Sequence, residues 1–339
     1  MGGRPKEHEV NVLVTGVAGF LGSHLADKLI AAGHRVVGLD DLSGGFRQNV
    51  PESVEFVVGS VCDRGTVERL FEKHRIDAVY HLAAYAAEGL SHFVKHFNYR
   101  NNLLGSVNLL NSSIRHGARV FCFASSIAVY GSAQCPMTED MTPAPEDPYG
   151  IAKYAVEMEL AATRRVFGLP YVVFRPHNVY GERQNVSDPY RNVVGIFLRQ
   201  ALRDQPMTVF GDGSQTRAFS HVDEVSVVMA RCVDTPQHWN QVFNLGADTP
   251  YKVRELAETV ASVLGKSPRI EFLPSRMEVK HAYADHSKVS AAFGRPEHVP
   301  LAEGVRRMAD WVTAHGIPSG TRSPRIEVDR GMPEIWLSE

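Results

Sequence analysis

Thr15-Gly-Val-Ala-Gly-Phe-Leu-Gly22 lies between an apolar run at residues 10–15 and a helical pattern at residues 21–32. Glycines in a strand-to-helix turn permit a tight bend. They also let a pyrophosphate approach the backbone at the positive end of the helix. The segment therefore predicts a dinucleotide-binding α/β fold, with contacts from Gly16, Gly19, Phe20, Leu21 and Gly22.

Apolar runs and helical patterns continue to alternate through the first half of the chain. We predict strands at residues 35–39, 54–58, 78–81, 120–124 and 171–174, and helices at residues 64–74, 97–116 and 149–167. Near-continuous apolar strands separated by helices are typical of a parallel sheet with helices on both faces. The predicted fold class is α/β, with a Rossmann-like, doubly wound parallel sheet.

The second half has a looser pattern, with connections rich in Pro, Asn and Gly after residue 179. One apolar run at residues 241–245 predicts a strand that returns to the main sheet. We therefore expect a dinucleotide-binding domain at residues 8–179 plus 241–246. A smaller, interleaved substrate lobe would comprise residues 180–240 and 247–339. The tail beyond residue 317 is polar and rich in proline, and its pattern indicates no role.

Composition and charge argue against several classes of protein. The 339 residues carry 36 basic and 38 acidic side chains, and no long basic run offers a nucleic-acid surface. No apolar run reaches the length of about 18 residues that a membrane span needs, and the polar start lacks a signal-peptide core. These features together predict a cytoplasmic protein. The four cysteines lack the spacing of metal ligands, and three of them lie in or beside apolar segments, so we expect no metal site and buried free thiols instead of disulfides. The four cysteines are Cys62, Cys122, Cys135 and Cys232.

Asp40 ends the second predicted strand, 18 residues after Gly22. A carboxylate at this position can accept hydrogen bonds from a ribose diol, and it repels a 2′-phosphate. The sequence therefore favours NAD over NADP as the cofactor. Asp41 is a second candidate for the same contact.

Tyr149 and Lys153 stand four residues apart at the start of a predicted helix, which places them on one helical face. At roughly 5 Å and an effective dielectric of about 20, a charge on each would interact by about 3 kcal/mol. Such an interaction could lower the pKa of the phenol by about two units. The pair therefore predicts a tyrosinate that accepts a proton from a sugar hydroxyl near neutral pH.

Several further motifs carry a family resemblance. They are His81-Leu-Ala-Ala84, Asn102-Leu-Leu-Gly105, Ala124-Ser-Ser-Ile-Ala-Val-Tyr-Gly131, Arg175-Pro-His-Asn178 and Gly211-Asp-Gly-Ser-Gln-Thr-Arg217. Together with the glycine turn, they make residues 10–315 resemble the extended short-chain dehydrogenase/reductases of the nucleotide-sugar epimerase group. Within that group the chain is most similar to the UDP-glucose/galactose 4-epimerases.

The resemblance implies a set of functional residues. The catalytic residues would be Tyr149, Lys153 and Ser126. Contacts to NAD would come from the glycine turn, Asp40, Asp41, Asp63, Leu82, Ala83, Ala84, Asn102, Ser125, Tyr149, Lys153 and Pro176. Contacts to a UDP-sugar would come from Ser126, Asn178, Thr208, Phe210, Arg217 and Arg276.

The reaction that the resemblance implies is NAD-dependent epimerisation at C4 of a UDP-hexose through a transient 4-keto sugar. The hexose would be glucose and galactose or their N-acetyl forms. NAD would stay bound as a prosthetic group. The resemblance also implies a homodimer that pairs helices 97–116 and 149–167, on whose outer faces Ala155, Met158 and Val166 stand.

Related reactions remain as alternatives. Dehydratases and uronate decarboxylases of this fold carry acidic residues just after the active-site Ser/Thr, where this chain has Ile127 and Ala128. UDP-glucuronate 4-epimerases carry an Arg near the position of Asn185. A nucleotide-sugar reductase, or a non-catalytic NAD-binding protein, would also fit the fold.

Two features bear on the sugar. Ala86 and Glu88 depart from the epimerase pattern, which puts the sugar contacts of their loop in doubt. The position that limits sugar size falls on Ala282, which would admit a 2-acetamido group, or on Tyr283, which would favour plain hexoses.

Overall fold

The computed structural model describes residues 9–276, 278–317 and 323–337. The strands are β1 (Asn11–Thr15), β2 (Arg35–Asp40), β3 (Glu55–Val58), β4 (Ala78–His81), β5 (Val120–Ala124), β6 (Tyr171–Pro176), β7 (Val179–Tyr180), β8 (Met207–Phe210), β9 (Thr216–Ala218), β10 (Ser220–His221), β11 (Gln241–Leu245), β12 (Pro250–Lys252), β13 (Ile270–Leu273) and β14 (His281–Ala282). The helices are α1 (Phe20–Ala31), α2 (Arg64–Lys73), α3 (Glu88–Ser91), α4 (Lys95–Tyr99), α5 (Gly105–Arg115), α6 (Pro148–Phe167), α7 (Val193–Leu202), α8 (Val222–Arg231), α9 (Val253–Val263), α10 (Ser287–Phe293), α11 (Leu301–His315) and α12 (Glu334–Leu337).

A parallel sheet of seven strands dominates the first half, in the order β11-β6-β5-β4-β1-β2-β3. Each neighbouring pair in this sheet is parallel. The order reverses between β1 and β4, and a crevice forms there at the carboxyl ends of the strands. The predicted doubly wound α/β fold is confirmed.

Alternate side chains of each central strand enter different cores. On β1, Val12 and Val14 belong to a core cluster on one face of the sheet, and Leu13 belongs to a cluster on the other. All three are fully buried. Strands that are covered on both faces need apolar residues at every position, which explains the continuous apolar runs of the sequence.

β11 returns to the main sheet beside β6, with Phe243 opposite Phe174. This agrees with the strand that the sequence predicted at residues 241–245. Helix α8 packs against α1 on the same side of the sheet and contributes Val225 and Met229 to its core. The chain therefore leaves the main sheet after β6 and returns to it with α8 and β11.

A second core lies outside the main sheet. Helices α7, α9 and α11 pack around it and bury Phe197, Leu256, Val260, Val305 and Met308. Short strands flank it, with β8 paired to β13 and β9 paired to β12 and β14. This region faces the carboxyl edge of the main sheet and forms the opposite wall of the crevice.

The helix predicted at residues 97–116 is interrupted. A π-helical turn, Arg100–Leu104, separates α4 from α5. Asn102 within this turn and Asn98 before it are buried. Asn102 hydrogen-bonds both the backbone N–H and the carbonyl oxygen of Tyr85, and Asn98 Nδ2 donates to the Pro148 carbonyl oxygen at 2.8 Å. The interruption therefore ties the loop after β4 to the start of α6.

Candidate active site

A groove of about 500 Å³ follows the carboxyl edge of the main sheet, and its far wall comes from the second core region. Twenty of the 22 predicted site residues line it. They are Gly16, Gly19, Phe20, Leu21, Gly22, Asp40, Asp41, Leu82, Ala83, Ala84, Ser125, Ser126, Tyr149, Lys153, Pro176, Asn178, Thr208, Phe210, Arg217 and Arg276. Residues that lie far apart in the sequence thus meet in one cleft, while Asp63 and Asn102 stand outside its described lining.

The glycine turn has no room for side chains. Gly16 has a φ of +74°, and a Cβ there would lie 2.8 Å from the backbone nitrogen of Ala83. A Cβ on Gly22 would lie 2.1 Å from the Gly16 carbonyl oxygen. The turn therefore delivers a bare backbone and the N-terminus of α1 to the groove, as a bound pyrophosphate requires.

Asp40 and Asp41 stand at the end of β2. The Asp40 carboxylate accepts hydrogen bonds from the backbone N–H groups of Ala18 at 3.0 Å and Leu42 at 2.8 Å. Burial raises the pKa of Asp40, and these two backbone hydrogen bonds act in the opposite direction. Asp40 thus braces the glycine turn as well as facing the groove.

Asp63 and Asn102 have structural partners instead. Asp63 is exposed and caps helix α2, where its carboxylate accepts hydrogen bonds from the backbone N–H of Gly65 at 2.9 Å and the Thr66 hydroxyl at 2.6 Å. Asn102 holds the loop of Tyr85, as described above. Their cofactor contacts stay predictions.

Helix α6 presents the predicted catalytic pair. Asp147 caps the helix by accepting a hydrogen bond from the Gly150 N–H at 2.9 Å, and a proline follows at the first helical position. Lys153 Nζ donates to the Ala124 carbonyl oxygen at 2.6 Å and lies 5.7 Å from the centre of the Tyr149 ring. Ser126 lies two residues after the end of β5 and hydrogen-bonds the Tyr149 phenol. The three functional groups thus converge on the groove.

The electrostatics of the pair differ from the prediction. Burial raises the pKa of Tyr149, Glu88 adds to the rise, and only the hydrogen bond with Ser126 opposes it. Burial also lowers the pKa of Lys153 to about 7. The prediction that the pKa of Tyr149 is lowered is wrong for the protein without a ligand. The free-energy cost of burying a phenolate exceeds the electrostatic stabilisation from the neighbouring Lys153.

A buried polar network supports the site from behind. Glu157 accepts two hydrogen bonds from the Arg175 guanidinium, at 3.0 and 2.5 Å, and one from the Ser125 hydroxyl at 2.5 Å. The guanidinium also donates to the Tyr130 hydroxyl at 2.6 Å, which in turn donates to Asn244 at 2.8 Å. Sequence patterns did not reveal this network, since its five members come from four separate segments of the chain.

Two arginines line the opposite wall. The Arg217 guanidinium donates to the carbonyl oxygens of Val279 at 2.5 Å and Lys280 at 3.1 Å. The Arg276 guanidinium donates to Glu278 at 3.2 and 3.1 Å. Backbone and carboxylate partners thus hold both guanidinium groups at the groove, and their role as an anion clamp stays a prediction.

The other predicted substrate residues line the same groove. Phe210 lies 4.3 Å from the Arg276 guanidinium carbon, measured to its ring centre. Thr208 is held by Gln200, which donates to its hydroxyl at 3.0 Å. Asn178 has a φ of +41°, a region that asparagine tolerates better than most residues. Ala282 and Tyr283, the two candidates for limiting sugar size, do not belong to the described lining.

Glu88 is a groove residue to which the sequence analysis gave no role. Glu88 is exposed on the surface of the groove. The walls of the groove nevertheless surround its carboxyl group, and this desolvation raises the pKa of Glu88 to about 7. Asp147 adds to the rise, whereas Arg217 and Arg276 oppose it. An acidic side chain near Tyr149 thus faces Arg217 and Arg276. The one sequence feature that could have pointed to Glu88 is its departure from the epimerase pattern.

His81 and His177 are structural. His81 lies between the hydroxyls of Thr15 at 2.7 Å and Ser106 at 2.8 Å, and burial lowers its pKa to about 3. Burial likewise lowers the pKa of His177 to about 3, and its Nε2 lies 2.9 Å from that of His286. Neither ring belongs to the described lining of the groove.

The fold and the groove define an enzyme class: a dinucleotide-dependent parallel α/β protein with a Tyr-x-x-x-Lys pair beside its cofactor turn. The chain belongs to the NAD dependent epimerase/dehydratase family, whose model matches residues 12–246.

Its relatives include several UDP-glucose 4-epimerases. That of Mycolicibacterium smegmatis is 34% identical over 312 residues, covering 89% of this chain and 98% of that protein. The Thermotoga maritima structure, solved with UDP-glucose, is 35% identical, has a TM-score of 0.86 and covers 90% of this chain and 99% of that one. The Thermus thermophilus structure, solved with NAD, is 33% identical, has a TM-score of 0.84 and covers 89% of this chain and 99% of that one.

Two kinds of feature are absent from the described ranges. No helix in these ranges is long and apolar enough to cross a membrane. No group of three or more His, Cys, Asp or Glu side chains within them is placed to hold a metal ion.

Proposed function

We propose that this protein is an NAD-dependent nucleotide-sugar 4-epimerase that inverts C4 of a UDP-hexose. The substrates are UDP-glucose and UDP-galactose or their N-acetyl forms. One observation carries the proposal: Ser126, Tyr149 and Lys153 meet in a single groove, with the glycine turn on one side of them and an arginine clamp on the other.

The residues of the glycine turn fit NAD, because side chains at Gly16 and Gly22 would collide with the backbone where the pyrophosphate approaches. Asp40 faces the groove at the end of β2, in position for a ribose diol. Leu82, Ala83, Ala84, Ser125 and Pro176 complete the cofactor side. When bound, NAD supplies first the acceptor and then the donor of the hydride at C4.

Tyr149 takes the proton of the C4 hydroxyl as the hydride leaves, and returns it when the 4-keto sugar is reduced on its other face. Ser126 hydrogen-bonds the same hydroxyl and the phenol, so it aligns the two oxygens. Lys153 would hold the ribose of bound NAD by hydrogen bonding. The sugar must turn between the two half-reactions, so binding energy has to reside in the UDP group.

Arg217, Arg276 and Asn178 supply that anchoring by holding the diphosphate, while Thr208 and Phe210 form the wall for the uracil ring. Bidentate guanidinium groups suit phosphate oxygens, and both arginines already have fixed partners. The sugar ring can thus turn within the site while the nucleotide stays bound.

The groove argues against the alternative reactions. Ile127 is buried directly after Ser126, and Ala128 donates its backbone N–H to the Ser126 hydroxyl, so no acid stands there for a dehydratase or decarboxylase. In its ionised form, Glu88 would repel the carboxylate of a uronate bound near Tyr149. Asn185 lies on the groove wall, but its amide oxygen accepts hydrogen bonds from Ser187 at 3.1 and 2.6 Å.

We further propose a homodimer that pairs α6 with the segment formed by α4, the π-turn and α5. Apolar side chains that are 41–71% exposed support this, and they are Leu104, Ile151, Met158, Val166 and Phe167. A cytoplasmic location is supported by four free cysteines, which suit a reducing compartment. The division into a cofactor domain (8–179 with 241–246) and a nucleotide-sugar lobe (180–240 with 247–339) is likewise our proposal.

The test is to incubate the purified protein, without added cofactor, with UDP-galactose, UDP-N-acetylgalactosamine and UDP-glucuronate in separate reactions. We expect C4 inversion of one or both of the first two, with no net change in nicotinamide absorbance. Net formation or consumption of NADH would instead identify a reductase, and inversion of the glucuronate alone would identify a uronate epimerase.

A further inference from the structure

The C-terminal segment, residues 323–337, reaches the groove that holds the predicted substrate residues. Ile335 and Trp336 line that groove, and Trp336 is only 7% exposed. The Thermotoga maritima structure is matched over 99% of its length but covers 90% of this chain, so part of this chain has no counterpart there. The sequence pattern gave this segment no role.

Backbone contacts pin the segment to the loop region after β4. The Glu327 carboxylate accepts hydrogen bonds from the backbone N–H groups of His96 at 2.8 Å and Phe97 at 2.9 Å. The backbone N–H groups of Glu327 and Val328 donate to the Phe93 carbonyl oxygen at 2.9 and 3.2 Å. The segment is therefore attached by specific hydrogen bonds at the N-terminus of α4.

An aromatic cluster surrounds the indole of Trp336. Its ring centre lies 5.4 Å from that of Tyr190, 6.3 Å from that of Phe93 and 6.4 Å from that of Phe210, all edge-to-face. A Cβ on Gly89 would lie 3.0 Å from the indole, so a glycine at this position gives the ring its space. Side chains from several elements thus pack around the indole and hold it in one position.

The indole also contacts the arginine clamp. The guanidinium carbon of Arg276 lies 4.3 Å from the centre of the Phe210 ring and 5.4 Å from the centre of the Trp336 ring. Two aromatic rings thus flank one cation, and Glu278 binds its edge. Such contacts with arginine stabilise a single orientation of the guanidinium plane.

We propose that Trp336 is a positioning residue for the nucleotide: with Phe210 it holds Arg276 in the orientation that binds the diphosphate. This inference rests on the proposed function, because that function assigns the diphosphate to Arg276. It adds a residue from the far end of the chain to the substrate site. Loss of the indole should weaken binding of the nucleotide and leave the chemical step at C4 unchanged.

The test measures the Kd of UDP by calorimetry, together with kcat and KM for the epimerised sugar and the amount of bound NAD. We expect Trp336→Ala to raise the Kd of UDP and the KM by roughly three- to tenfold, with kcat within about twofold of the wild type. Trp336→Phe should recover most of the affinity. Glu327→Ala, which detaches the segment at a distance from the groove, should change Kd in the same direction.

Val328→Ala is the matched control, since Val328 belongs to the same segment and is 49% exposed; it should leave Kd unchanged. Equal or tighter UDP binding by Trp336→Ala would overturn the inference. So would a Trp336→Phe variant as weak as the alanine variant. If no UDP-sugar is epimerised but UDP binding still depends on Trp336, the proposed reaction fails and the positioning role stands.

Discussion

Lys153 Nζ lies 5.7 Å from the centre of the Tyr149 ring but donates its hydrogen bond to the Ala124 carbonyl oxygen, 2.6 Å away. Both groups are buried, and burial raises the pKa of the phenol and lowers that of the lysine to about 7. Near neutral pH the residues of the chain therefore favour a neutral phenol. A positive charge bound in the groove would favour the phenolate, so proton acceptance by Tyr149 is expected to be a property of the loaded site.

Replacement of Tyr149 by Phe should abolish turnover while leaving nucleotide binding intact. Loss of a general acid–base group costs about 10²- to 10⁴-fold in rate, and the ring itself is kept. The measurement is kcat for UDP-galactose beside the calorimetric Kd of UDP. Tyr154→Phe, on the same helix but packed against a different cluster, serves as the control and should keep its activity. Substantial activity in Tyr149→Phe would remove this residue from the mechanism.

Binding of UDP should weaken as the pH rises through 7. The pKa of Glu88 is raised to about 7, so its carboxyl is mostly neutral below that pH and mostly ionised above it. The ionised form competes with the diphosphate for Arg217 and Arg276, while the nearby Asp147 and Glu278 add further negative charge. We expect the Kd of UDP to increase by roughly threefold between pH 6 and 8.5.

Glu88→Gln is the control for this effect, because it keeps the shape of the side chain and removes its titration. Its Kd should depend less on pH than that of the wild type and should be lower at pH 8.5. Ionisation of UDP itself affects both proteins equally. Identical pH profiles for the two proteins would show that Glu88 does not act on the nucleotide.

Removal of either partner of the buried pair Glu157 and Arg175 should destabilise the fold, because the other charge then stays buried without a partner. The two side chains are 5% and 4% exposed. Glu157→Gln or Arg175→Met should each lower the free energy of unfolding by about 3–5 kcal/mol. The double variant Glu157→Leu/Arg175→Met should cost less than the sum, because neither charge then remains unpaired.

Urea unfolding at fixed NAD occupancy measures these differences, since bound ligand shifts apparent stability. Glu258→Gln provides the comparison, because Glu258 pairs with Arg254 on the surface of α9 at 46% and 60% exposure. That change should cost less than about 0.5 kcal/mol. Equal costs at the buried and the exposed pair would show that Glu157 and Arg175 are not coupled.

The main sheet could be predicted because its rules are local. β4 and β5 begin and end at the predicted residues, since fully buried strands bounded by polar turns leave a continuous apolar run. The glycine turn was equally clear, because backbone contacts at Gly16 and Gly22 forbid any side chain. Such features are determined by a few residues that are adjacent in the sequence.

Features that depend on tertiary contacts were harder to predict. Trp336 stands 60 residues after Arg276, so no spacing rule connects them. The pKa of Tyr149 was predicted in the wrong direction because Coulomb attraction to a lysine can be read from a sequence, whereas desolvation cannot. The π-helical turn at Arg100–Leu104 likewise leaves no periodic signal.

In the proposed reaction the bond between C4 and its hydrogen breaks and re-forms within one groove. The most direct measurement is to epimerise UDP-galactose labelled with deuterium at C4, in ordinary water and without added cofactor, and to locate the label in the product. We predict UDP-glucose that retains the deuterium at C4. Loss of the label to solvent, or a product inverted at another carbon, would contradict the account.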